Sequence, residues 1–139
     1  MTLPMEYERA SPEFETFMKD VIDESGLPTR HSAYTLVQGV FQTFRRRLEI
    51  QDAIRFANIL PPILRAIFIA DWNFDEPKRP FESLQQMTKE VQSLRAPHNF
   101  SPDTAIKDVA VALRKNIYQR DLDSLLSTFP EGAAKFWAV

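Results

Sequence analysis

Along nearly the whole chain, apolar residues recur three and four positions apart, and that spacing constrains the fold more than any other feature. Phe14, Phe17, Met18, Val21 and Ile22 fall on one helical stripe, and Ile106, Val109, Leu113 and Ile117 on another. No alternating apolar and polar stretch stands beside an Asn-Gly or Asp-Gly pair, and three glycines leave few tight turns for hairpins. The spacing predicts an all-α protein.

Prolines, serines and glycines divide the pattern into about eight helices. Ser11 reads as the cap of the first, with Pro12 at the first helical position, where its missing N–H costs nothing. Gly26 can take the left-handed conformation that ends it. A second helix is predicted over 32–48, capped by Ser32, with Tyr34, Val37, Phe41, Phe44 and Leu48 inward. A shorter one covers about 51–60. Pro61 and Pro62 must then restart the chain, because proline clashes with a preceding turn. The stretch 71–80 is polar, contains two prolines and has no helical period, which makes it the best internal boundary. Beyond it the plan recurs. A helix starts from Phe81, another is capped at Ser101-Pro102, a short one carries Leu122, Leu125 and Leu126, and a last segment ends in Phe136-Trp137.

The recurrence has a fixed offset. "LPPILRAIF" (60–68) and "FPEGAAKFW" (129–137) lie 69 residues apart. Sliding 35–68 over 104–137 without a gap leaves five identical positions: Thr35/Thr104, Val40/Val109, Arg45/Arg114, Asp52/Asp121 and Pro61/Pro130. Thirteen positions are apolar in both copies, where composition alone gives roughly seven. The preceding helix follows at an offset of 70, with Phe14, Phe17 and Val21 over Leu84, Met87 and Val91. A single globular domain is therefore expected, made of two tandem four-helix units of about 69 residues, approximately 11–72 and 80–139, packed about a pseudo-two-fold axis.

Composition narrows the function. The chain has no cysteine, so disulfides, thiolate metal sites and a cysteine nucleophile are excluded, and a reducing cytoplasm is the expected setting. Seventeen basic against 19 acidic residues give a net charge of -2, with no general attraction for nucleic acid. The apolar run around 67–70 is far short of the roughly 20 residues of a membrane helix, and the start of the chain lacks the pattern of a signal peptide.

The first half also resembles a known family. Ala33-Tyr34, Arg45, Arg47-Leu48, Ala53, Leu60-Pro61, Leu64-Arg65 and Trp72 are similar to the recurring positions of a bacterial domain of unknown function. Its members read A-Y, L-R-x-R-L, E-A, Q-L-P, L-R-G and a closing tryptophan. The resemblance covers about 32–72 and departs at Ala66, where glycine is usual, and at Asn58-Ile59, where glutamine is usual before Leu-Pro. It implies a helical fold and no assigned activity.

No catalytic constellation stands out. His31 and His98 sit in matching connectors, but zinc needs further ligands and a second shell. Ser11, Ser32 and Ser101 read as caps, no G-x-S-x-G elbow exists, and no Gly-rich loop accompanies the basic run at 45–47. No metal or cofactor is expected. The candidate binding residues are Arg45, Arg47, Arg65, Trp72 and Phe74. Trp72 and Phe74 fall in the polar boundary segment, and tryptophan and arginine are favoured interface anchors. A non-enzymatic helical interaction module follows, binding a protein partner or a second copy. The alternative is a small-molecule or anion site between the units, with Arg45, Arg47 and Arg65 grasping phosphate through their guanidinium forks.

Overall fold

The computed structural model describes residues 2–139. Among them are nine α-helices and no strand: α1 (Met5–Glu8), α2 (Ala10–Ser25), α3 (Arg30–Arg45), α4 (Ile50–Asn58), α5 (Pro62–Ile69), α6 (Leu84–Ser93), α7 (Ala105–Asn116), α8 (Gln119–Leu126) and α9 (Ala133–Phe136). The helical period thus gave the class and most of the elements.

Helix starts are where the sequence misled. Ser11 and Pro12 lie inside α2, which begins at Ala10 after the short α1. Thr29, not Ser32, caps α3, and its Oγ1 accepts the Ser32 N–H at 3.1 Å. Both residue types cap helices, serine somewhat the better, and the extended backbone at Thr29 decides between them. Ser83 caps α6, which begins at Leu84, three residues after Phe81. Ser101 stays outside α7, and its hydroxyl is buried without a partner. At the other end of α2, Gly26 does adopt a left-handed φ of 72°.

Helix α3 runs through the centre. Leu36, Val37, Val40, Phe41 and Phe44 are wholly inaccessible, and so are Ala33 and Thr43. A helix apolar on all sides must be covered on all sides. Helix α6 covers one side at very close range: a β-carbon on Gly39 would fall 2.9 Å from both the Cγ1 and the carbonyl oxygen of Val91. Helix α2 packs along α7, and α6 along α3. Phe44, Phe56, Phe68, Phe136 and Trp137 then fill the space beneath α4, α5, α8 and α9. Trp137 lies stacked on Phe56 at 5.6 Å between centroids and edge-on to Phe44 at 5.3 Å.

Three hydrogen bonds recur between the halves. Arg45 Nη1 donates to the Phe68 carbonyl at 2.8 Å, and Arg114 Nε to the Trp137 carbonyl at 2.8 Å. Arg47 Nη1 reaches the Thr43 carbonyl at 2.7 Å, and Asn116 Nδ2 the Ala112 carbonyl at 2.7 Å. Arg47 also binds Glu90 on α6, while Asn116 binds Asp20 on α2 at 2.8 Å.

Candidate functional site

The arginines of the basic run point inward. Arg45 and Arg47 end the buried helix α3 and are only 3 % and 2 % exposed. Arg45 spends Nη1 on the carbonyls of Phe68 and Ala70, at 2.8 and 2.9 Å, and so ties the end of α5 to α3. Burial, followed by the charge of Arg46, pushes its guanidinium pKa down. Its outer face carries the Trp72 ring, with Cζ 5.2 Å from the indole centroid.

Arg47 donates Nε to the Pro80 carbonyl at 3.1 Å and both terminal nitrogens to Glu90 at 2.9 and 3.0 Å. Glu90 collects Arg46 and Arg79 as well. Burial alone would push its carboxyl up; the hydrogen bonds and charges of Arg47 and Arg46 outweigh this and hold it below the ordinary range. These groups fasten the boundary segment onto α3 and α6. Nothing in the sequence singled out Glu90, because its value lies in contacts across more than 40 residues.

Arg65 stands elsewhere. It donates to the carbonyls of Ala57 and Leu60 at 3.2 and 3.0 Å, closing the α4–α5 turn. The expected pocket gathering Arg45, Arg47 and Arg65 is therefore not formed: Arg65 borders one surface depression, Arg45 another, and Arg47 neither. The physical reason is that each guanidinium is engaged by carbonyls of its own neighbourhood: Arg45 by those of Phe68 and Ala70, Arg47 by those of Thr43 and Pro80, and Arg65 by those of Ala57 and Leu60.

Two depressions stand out among the described residues. The larger is an open groove of about 830 Å³ between α2, the α4–α5 turn and the α7–α8 turn. Its apolar lining includes Phe14, Pro61, Ile63 and Ile117, and Tyr118, 82 % exposed, stands at its edge. The smaller, about 170 Å³, is bounded by Arg45, Ile50, Trp72, Phe74 and Lys78. There the structure does bring Arg45, Trp72 and Phe74 together. The Phe74 ring lies 5.5 Å from that of Trp72 and is 71 % exposed, with Ile50 half in water beside it.

His31 and His98 are both exposed, His31 in the first turn of α3 rather than in the connector before it. Among the described residues no three His, Asp or Glu side chains stand together as metal ligands would. No helix among them is long and apolar enough to cross a membrane.

An all-α protein with arginines bound to its own carbonyls and carboxylates, an exposed phenylalanine resting on a half-buried tryptophan, and an open groove is thus the class defined by fold and surface. The chain belongs to the family described as an uncharacterized conserved protein (DUF2267), which matches residues 14–136. That span takes in both halves, so the resemblance read from 32–72 extends over nearly the whole chain. No curated protein matches the chain.

Proposed function

We propose that the protein is a non-enzymatic helical interaction module of the cytoplasm, built from two related units, 11–72 and 80–139, that presents Trp72 and Phe74 to a protein partner. One observation carries this reading. Phe74 is 71 % exposed, yet its ring rests on Trp72, which the buried Arg45 holds in place. A large aromatic side chain kept rigid in water loses little conformational freedom on docking, as interface anchors do. Ile50, 49 % exposed, extends the apolar surface. The recurrence of the arginine and asparagine hydrogen bonds at offsets of 69 and 70 supports the two-unit plan. The lack of cysteine supports the reducing compartment.

The test is cross-linking in cells followed by purification of wild type and Phe74→Ala. Loss of one defined cross-linked species, dimeric or heteromeric, with an unchanged far-UV CD spectrum, is the expected result. The same cross-links in both proteins would refute the reading.

A further inference from the structure

We propose that the groove between α2, the α4–α5 turn and the α7–α8 turn binds an extended segment of a partner protein, anchored by a phenylalanine set between a proline and a carboxylate. The chain holds a segment of this kind itself. Pro80-Phe81-Glu82 runs without helix into the start of α6 and lays the Phe81 ring against the α8–α9 turn. Gly132 makes the room: a β-carbon there would fall 2.6 Å from the Phe81 Cβ and 2.7 Å from its Cγ. Phe44 lies below, 6.0 Å from the Phe81 ring. The Arg79 N–H donates to the Arg46 carbonyl at 3.0 Å, Arg47 Nε to the Pro80 carbonyl at 3.1 Å, and Arg47 lies 3.6 Å from the Glu82 carboxylate.

The arginines that hold this strap, and the turn that leads into Gly132, have counterparts 69 positions away. Arg46-Arg47 correspond to Lys115-Asn116, and Phe129-Pro130 to Leu60-Pro61. All four of Leu60, Pro61, Lys115 and Asn116 line the groove. The covering segment is what differs. Residues 77–82 form no helix, whereas 7–12, the stretch 70 positions earlier, is largely wound into α1 and α2. Coiled back in that way, it leaves the apolar floor of the groove open. Where Gly132 admits a ring in one half, Ile63 stands in the other, so the anchor lies shallower, against Ile63 and Phe14.

Charge complements the same occupant. Lys78 and Arg79 precede Phe81, and Glu82 follows it. The groove offers Glu13 and Asp121 to the basic flank and Arg9 and Lys115 to the acidic one, while Glu6 and Arg65 at its edge pair with each other. Extended segments with one buried aromatic side chain and charged flanks are a common form of peptide recognition.

The experiment uses the full chain and a fluorescein-labelled peptide of the sequence PKRPFESL, that of residues 77–84, with fluorescence anisotropy as readout. Saturable binding is expected, weakened at least about tenfold when the peptide phenylalanine becomes alanine. Ile63→Glu should weaken it to a similar degree. Tyr118→Ser and Lys115→Glu, both at the surface, provide the check should the Ile63 variant fail to fold. Phe74→Ala should leave peptide binding unchanged, so that failure here and failure of the Trp72–Phe74 surface are read separately. No saturation at millimolar protein overturns the proposal. So does binding that the groove variants leave intact, which would place the peptide in the Phe81 seat. A self-association abolished by the groove variants, without peptide binding, overturns it in favour of a second copy of the chain.

Discussion

Arg47 and Glu90 meet as a two-pronged pair, Nη1 to Oε2 at 2.9 Å and Nη2 to Oε1 at 3.0 Å, with the guanidinium side chain wholly out of water. The same guanidinium also holds the carbonyls of Thr43 and Pro80. One side chain thus joins α3, the boundary segment and α6.

Removing Arg47 leaves Glu90 to Arg46 and Arg79 but takes the shared donor from the Thr43 and Pro80 carbonyls. Arg47→Ala is expected to cost about 2–3 kcal/mol, measured by urea unfolding. Arg79→Ala, which removes an arginine that is half exposed, should cost less than about 1 kcal/mol. Equal losses would show that Glu90 does not depend on Arg47 in particular.

Two carboxyl groups give opposite pH dependences. Glu90 is held below its ordinary 4.5, so the folded protein binds that proton less tightly than the unfolded chain. Its contribution is full above 4.5 and is lost as pH falls through the folded value. Burial pushes Asp108 above its ordinary 3.8, against the 2.7 Å hydrogen bond from Thr104. Its ionised form therefore burdens the fold at neutral pH, and stability recovers as pH falls from the raised value toward 3.8. Asp108→Asn should raise the urea midpoint at pH 7, and the gain should vanish below 3.8. Glu90→Gln should lower the midpoint at pH 7 and flatten the decline in acid. A gain for Asp108→Asn that is the same at every pH would refute the assignment.

Gly132 serves two needs at once, a φ of 104° and contact with Phe81. Gly132→Ala should destabilise by more than about 1 kcal/mol. Adding Phe81→Gly, which takes away the β-carbon 2.6 Å from the new methyl as well as the ring, relieves the clash but not the strained backbone, so the double variant should be more stable than the sum of the two single losses implies. Strict additivity in thermal unfolding would mean that ring and glycine do not interact.

The two tryptophans differ sharply in exposure. Trp137 is 0 % exposed, whereas Trp72 lies half-buried beneath Phe74. Acrylamide should quench Trp72 alone in the native protein. Trp72→Phe should then remove nearly all quenchable emission, and Trp137→Phe almost none.

Much of this fold could be read from periodicity, because apolar stripes three and four apart need only be counted. The candidate site was harder. Arg45 and Arg47 look like a solvated cationic helix end when only their own turn is considered. The clue lay upstream: from Ala33 to Phe44 the helix has apolar or small residues on every side, with Gln38 and Gln42 its only long polar side chains. Arginines ending a helix so deeply buried must find their partners inside the protein. Trp72 and Phe74 were legible as large rings in a polar stretch. Glu90 and the groove were not, since both arise from segments that meet only after α2 has crossed to α7 and α6 to α3. The caps failed for a related reason: Ser11, Ser32 and Ser101 have suitable chemistry, but tertiary packing sets where each helix begins.

That crossing has a consequence for integrity after damage. A proteolytic nick in 71–80 would not release two independent pieces, since α2 is buried against α7 and α6 against α3, on opposite sides of the cut. The nicked protein should stay together without a covalent link and melt in one step whose midpoint depends on concentration. Either fragment alone would lack the partner for its first helix. Like two clasped hands, the halves are mutual templates, and separately expressed fragments should fold only when mixed.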